Sequence, residues 1–347
     1  LSPHTAFVAS FGQGGNIPAQ YPYFSGAGMR YHFFFYFMCG VLHRLGLPLD
    51  WALNLPSFLG IWTFLSLLGN IAVSLTRKKA ALPLTLLLFF FRSSGSGFAL
   101  LNSYLRDGLS LTEALVRLRS APSFAGPLLH DDWGLYNLNV FANQRHLLWG
   151  MSLVLFIFML FYPALSERDK PSIRDFFHKD LWPIRRIGPL LFAVLLALPL
   201  PYWHGSCAIV LLLVLGFWAL FAREKMSYLI LGLSTVGSAF VLQKIFQGQA
   251  GLGQSIFHWP YILDDKSLVG VLKFLAILAG PALIFILIFP WLYKDRTLRP
   301  VYLSFALPVL FGLTVSLTPD FTVNHKYFMI SLFLYLPFVV WVLLKLW

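Results

Sequence analysis

The chain has 347 residues, of which 58% are hydrophobic, 17% aromatic and only 12% charged. A soluble domain carries about 25% charged residues, so a soluble enzyme is excluded, and the mean hydropathy of +0.72 points to an all-α, polytopic membrane bundle. The net charge of +12 does not indicate nucleic acid, because the basic residues form short clusters between apolar runs, as cytoplasmic loops do.

Residues 1–50 read as an external loop and a juxtamembrane helix, and 51–347 as the bundle of one transmembrane domain. The stretch Gly15–Arg44 passes from a Pro/Gly-broken loop into an aromatic helix, with Arg30, Tyr31 and His32 at the junction. Gly and Pro at this density forbid regular structure before Met29. The run Phe33–Leu42 is apolar all round but about half the 20 residues that a crossing needs. It therefore leaves its polar start at the membrane surface. The chain begins at Leu1 rather than Met, which leads us to expect a preceding segment. Cys39 and Cys207 lie in or beside apolar segments and suggest neither a disulfide framework nor a metal site.

Further along, Trp51–Leu75 is the first full span, stopped by Arg77-Lys78-Lys79. Ala80–Leu101 returns, interrupted by Arg92–Gly97. Tyr104–Leu118 mixes Arg106, Asp107, Glu113 and Arg117 with leucines and reads as an interfacial amphipathic helix. Spans follow over 140–165, 187–203, 206–222, 226–242, 268–293, 300–317 and 327–347, with His204-Gly205 as a tight turn. With Arg77-Lys78-Lys79 inside, every later basic cluster also falls inside. The expected fold is therefore about nine transmembrane helices plus short interfacial ones.

That sidedness gathers the remaining polar residues on the outer face. They are His4, Asn16, Arg30-Tyr31-His32, His130-Asp131-Asp132-Trp133, Asn143-Gln144-Arg145-His146, His258-Trp259, Asp264-Asp265, Asp320, Asn324, His325 and Lys326. Arg145 and His146 open an apolar span, where a charge is expensive unless it faces a cavity or a partner. Arg145 is the foremost phosphate-clamp candidate, with Lys326 beside it in that role. His130-Asp131-Asp132 resembles the donor set of a hard cation, which makes a divalent cation the candidate cofactor. Each has a plainer reading too: Tyr31 and Trp133 as interfacial belt residues, His32 as a helix-end group, the paired aspartates as solvated or capping groups, and Arg145 as a lipid head-group anchor.

The runs H-T-A-F-V-A-S-F-G-Q-G-G-N-I-P-A-Q-Y-P-Y-F-S-G-A-G-M-R-Y-H-F-F-F-Y-F and G-L-P-L-D-W-A-L-N-L-P-S resemble the first external loop of bacterial C-type glycosyltransferases. N-V-F-A-N-Q-R-H-L-L-W-G and T-P-D-F-T-V-N-H-K-Y-F-M-I-S resemble later segments of the same proteins. Their relatives are the protein mannosyltransferases and the aminoarabinose lipid A transferase. The resemblance implies a multi-helix enzyme of the plasma membrane, transferring sugar from a polyprenyl-phosphate donor on the external face. It also implies an acidic residue in the first loop, which Leu1-Ser2-Pro3-His4 lacks. Either that acid lies upstream of Leu1, or the fragment lacks the catalytic centre, with Asp131, Asp132 and Asp320 as substitutes by proximity alone. On this reading Asp131, Asp132 and His32 are the catalytic candidates. His4, Tyr31, Asn143, Arg145, His146, Asp320, Asn324 and Lys326 are the substrate-binding ones. The rival readings are a transporter or flippase of a lipid-linked or anionic substrate, and a non-enzymatic membrane assembly subunit.

Overall fold

The computed structural model describes residues 2–347 apart from 18, 25, 27, 30, 31, 92, 93, 122–143, 168–171, 248–255 and 319. The described residues are helical, with no strands. In chain order the α-helices are α1 (Ser2–Gly12), α2 (Phe34–Arg44), α3 (Leu49–Thr76), α4 (Ala81–Phe91), α5 (Ser96–Arg106), α6 (Leu111–Arg119), α7 (Arg145–Ser166) and α8 (Ile187–Ala197). There follow α9 (Leu200–Trp203), α10 (Gly205–Ala219), α11 (Lys225–Leu242), α12 (Leu268–Ala279), α13 (Ala282–Leu292), α14 (Arg299–Ser304), α15 (Leu307–Thr314) and α16 (His325–Leu346).

Five stretches are long and apolar enough to cross a membrane: Leu49–Thr76, Arg145–Ser166, Lys225–Ile245, Arg296–Thr314 and Phe321–Leu346. The number rises to seven if each of two bent pairs is one span. The count of about nine is therefore not borne out. Its remaining members are the shorter apolar helices Ile187–Trp203 and Gly205–Ala219. The expected span 268–293 turns through 100° between α12 and α13. Gly280 stands there at φ +57°, a left-handed conformation that costs glycine little, and Pro281 follows it. Hydropathy is blind to that bend because both halves are equally apolar.

Two further corrections concern the amino-terminal half. Residues 2–12 form a helix where a loop was expected, since no breaker interrupts the run from His4 to Phe11. The single amphipathic helix expected over 104–118 is two helices, divided where Gly108 adopts φ +89°. The second, α6, opens on a capping box: Ser110 Oγ accepts from Glu113 N and the Glu113 carboxylate accepts from Ser110 N at 2.9 Å. That pairing holds the exposed Glu113 carboxyl below its usual range, as bonds to the charged form do.

The chain divides into two compact units. The first comprises Leu1–Leu67, Gln144–Gly251 and Asp295–Leu307. Its core joins Phe7, Val8 and Phe11 of α1 to Phe35, Tyr36 and Cys39 of α2, with Leu53 and Trp203. The two helices approach closely at Gly40, where an added Cβ would lie 2.6 Å from Phe11 Cβ and 2.9 Å from the Gly12 nitrogen. Likewise α3 and α7 meet at Gly60, against the Trp149 ring. Trp149 Nε1 donates to the Pro56 carbonyl at 2.6 Å. The second unit comprises Leu68–Asn143, Leu252–Lys294 and Pro308–Trp347, and α16 is its buried axis, packed against α4 and α13. Both cysteines are buried and are not joined in a disulfide. Burial pushes the Cys39 thiol up to about 12.

Candidate functional site

Three histidines from separate parts of the first unit meet. His32 precedes α2, His146 lies in the first turn of α7, and His204 sits between α9 and α10. Their ring centroids are 4.3 Å apart for His32–His146, 4.4 Å for His32–His204 and 5.1 Å for His146–His204. One ring nitrogen from each lies within 4.8 Å of the others. His146 and His204 are buried and His32 is half-buried.

Local structure fixes each ring. The His204 backbone nitrogen donates to Leu200 O at 2.9 Å, closing α9, and its carbonyl accepts from Cys207 N at 3.0 Å, opening α10. At Gly150, a Cβ would lie 2.8 Å from Cys207 Sγ and 3.4 Å from His204 Cβ. The absent side chain therefore lets α7 and α10 approach beside the cluster.

A polar shell surrounds the rings. His32 Nε2 faces His146 Nε2, and His146 Nδ1 lies 3.3 Å from Tyr36 Oη. Tyr36 Oη is in turn 2.7 Å from His4 Nδ1, and the His4 ring stacks on the tyrosine at 5.3 Å. His204 Nε2 donates to Gln144 Oε1 at 3.2 Å. Burial, and then the charge of Arg145, lower the pKa of His4. If His4 Nδ1 accepts from the Tyr36 hydroxyl, that oxygen is left to accept from His146 Nδ1–H. Arg145 Nη1 donates to Asn54 Oδ1 on α3.

Of the residues chosen from sequence, the structure thus brings His4, His32, Arg145 and His146 into one neighbourhood. Tyr31, Asp131, Asp132 and Asn143 lie outside the described residues, as do Arg30, His130 and Trp133. His204 was read only as a turn. By the expected topology it follows an outward span, on the face assigned to His32 and His146, and that signal could have identified it. Tyr36 was one more aromatic in an aromatic run and carried no signal of its own.

Asp320, Asn324 and Lys326 belong to the second unit, the first two just before α16 and Lys326 in its first turn. Asp320 Oδ1 accepts from the Thr322 nitrogen at 2.8 Å and from its hydroxyl at 2.7 Å. Asn324 is 2% exposed, and its amide donates to the carbonyls of Gly312 at 3.0 Å and Val315 at 2.7 Å. Lys326 is buried. The Asn324 amide hydrogens are therefore engaged in tying the loop to the end of α15. Asn324→Leu is expected to leave the buried Gly312 carbonyl and the part-buried Val315 carbonyl without this donor, lowering unfolding stability by about 2–6 kcal/mol at roughly 1–3 kcal/mol per orphaned group. Asn324→Asp should be no better, since its carboxylate faces two acceptors. Detergent-solubilised unfolding midpoints measure both. Asp265, the remaining paired-aspartate candidate in this unit, accepts from Ser267 N at 3.0 Å just before α12. Those bonds to Ser267 hold its carboxyl low, which is capping chemistry.

The fold and composition define an all-helical chain of membrane type, with a cluster of imidazoles beside a guanidinium. No family model matches it, and neither does any curated protein or solved structure.

Proposed function

We propose that the chain is a membrane glycosyltransferase of the bacterial plasma membrane, taking sugar from a polyprenyl-phosphate donor on the external face. The observation that supports this reading is an apolar cleft next to the polar cluster of the first unit. A cleft of about 390 Å³ is walled by Phe33, Phe34, Phe37 and Tyr202. Phe33 is the neighbour of His32, and Tyr202 stands two residues before His204. Such a pairing suits a ligand that is part isoprenoid and part phosphate. Arg145 begins α7, where the helix dipole disfavours a cation by about 0.3–1 kcal/mol. A phosphate there would be held by the guanidinium and by the helix end together.

In the proposed reaction the acceptor oxygen attacks the anomeric carbon, and the bond from that carbon to the phosphate oxygen breaks. The phosphate leaves with the electron pair, its charge stabilised by Arg145. The acceptor proton passes to a base, for which Asp131, Asp132 and His32 are the candidates. The test uses the full chain in nanodiscs with radiolabelled polyprenyl-phosphate hexose and a membrane extract as acceptor source. The expected result is label on a new acceptor with release of polyprenyl phosphate. Unchanged donor, with every extract and hexose tried, would remove the reading.

One observation favours transport instead. The 100° break between α12 and α13 is the kind of interrupted helix that transporters place around a substrate. Vesicles reconstituted with the chain would then carry a lipid-linked sugar across the bilayer without consuming it.

A further inference from the structure

We infer that His32, His146 and His204 form a binding site for a divalent transition-metal cation of the zinc type, held by three imidazole nitrogens. The inference does not depend on the transferase reading.

The donor chemistry selects the class of ion. Imidazole nitrogen suits zinc, cobalt, nickel and copper, whereas magnesium and calcium require oxygen ligands. Nitrogens on a tetrahedral zinc stand about 3.3 Å apart, given Zn–N bonds of about 2.0–2.1 Å. The three ring nitrogens here are all within 4.8 Å of one another, so side-chain rotations alone bring them to bonding distance. Three protein ligands leave a fourth position for water or an anionic oxygen.

The surrounding hydrogen bonds set the tautomers that a metal needs. A ligating histidine characteristically gives its other N–H to a neighbouring acceptor, which orients the ring and raises its basicity. In the metal-bound arrangement His146 Nδ1 would donate to Tyr36 Oη, 3.3 Å away, and the tyrosine hydroxyl would donate to His4 Nδ1, 2.7 Å away. That leaves His146 Nε2, the atom facing His32, as the nitrogen with the lone pair. His204 makes the same arrangement with Gln144 Oε1. The three ring centroids stand 4.3–5.1 Å apart, close enough for one cation to be shared by the set. The three come from sequence positions so far apart that neither α2, α7 nor α10 could assemble them alone.

The experiment uses the full chain, purified without a polyhistidine tag, stripped with chelator and placed in nanodiscs. Titration with Co²⁺ alone should produce the intense visible ligand-field bands of a four-coordinate nitrogen site, saturating at one equivalent. Zn²⁺ should abolish those bands, and a large excess of Mg²⁺ should not. His204→Ala and His146→Asn should weaken Co²⁺ binding by well over tenfold. Tyr36→Phe, which removes a supporting bond, should weaken it about tenfold. Zn²⁺ should also raise the melting temperature of the wild type, as any ligand of the folded state does, but not that of His204→Ala. Since the two buried substitutions risk misfolding, His32→Gln, in the irregular segment ahead of α2, gives the same reading from a half-buried position. No Co²⁺ bands in the wild type, or bands unaltered in both His204→Ala and His32→Gln, would overturn the site. The three rings would then form a hydrogen-bonded imidazole chain only.

Discussion

Arg145→Ala is expected to slow sugar transfer about 100- to 1,000-fold, the range seen when one preorganised donor to a developing oxyanion is removed. The effect should fall on kcat as well as on donor KM, because the guanidinium is asked to stabilise charge that grows on the departing phosphate. Stability should hardly change. Arg145 is partly exposed at the first position of α7, and it donates to the neutral Asn54 carboxamide. Arg145→Lys should recover part of the rate, since a point charge remains but the planar two-pronged donor is gone. Asn54→Ala tests the same geometry from the other side. If Asn54 only orients the guanidinium, the loss should be smaller than with Arg145→Ala, and adding it to Arg145→Ala should cost nothing further. Wild-type turnover by Arg145→Ala would reduce this residue to a head-group anchor.

What was legible in the chain depended on the range of the physics involved. Span positions rest on local composition, and α3 and α16 fall within two residues of their expected limits. Their number depends on bends and on helix lengths set by packing, so the break at Gly280-Pro281 and the short α8 and α10 escaped. Arg145 and His146 were legible because they open an apolar span at a cost that needs an explanation, and His4 and His32 because the expected sidedness put them on the same outer face. His204 interrupts one just as sharply, but its neighbouring glycine made a turn the sufficient account. In the loop before α16 the residue types were right for binding, yet Asp320 and Asn324 make local backbone bonds there. Whether a side chain faces a ligand or its own backbone is decided by a few degrees of loop geometry, and composition carries no trace of that.

Glu224→Ala should destabilise the first unit by about 3 kcal/mol, the lower part of the range for removing one partner of a buried ion pair. The Glu224 side chain is 4% exposed, and Oε1 accepts from Arg186 Nε at 2.7 Å while Arg186 remains 28% exposed. That partial exposure lets water share the orphaned guanidinium, which is why the upper part of the range is not expected. Glu224 Oε2 also accepts from the Arg186 backbone nitrogen at 3.1 Å, at the residue that precedes α8, so the carboxylate fixes both the charge and the start of the helix. Next to it, Lys225 Nζ donates to the carbonyls of Ala219 at 2.8 Å and Ala222 at 2.9 Å, satisfying the exit of α10. Three basic or acidic side chains thus close the α10–α11 connection, as the positive cluster there led us to expect of a surface turn, but with the carboxylate drawn inside. Glu224 itself holds φ +61°, a left-handed position whose strain of order 1 kcal/mol is common to glutamate, glutamine and alanine and cancels in the comparison. Glu224→Gln separates the charge from the hydrogen bonds, since it removes the former and keeps a side-chain oxygen as acceptor. It should retain the bond to the Arg186 nitrogen and lose about 2 kcal/mol, with the remainder appearing in Glu224→Ala. Unfolding midpoints of the two variants that coincide with wild type would mean that the pair is already screened by solvent.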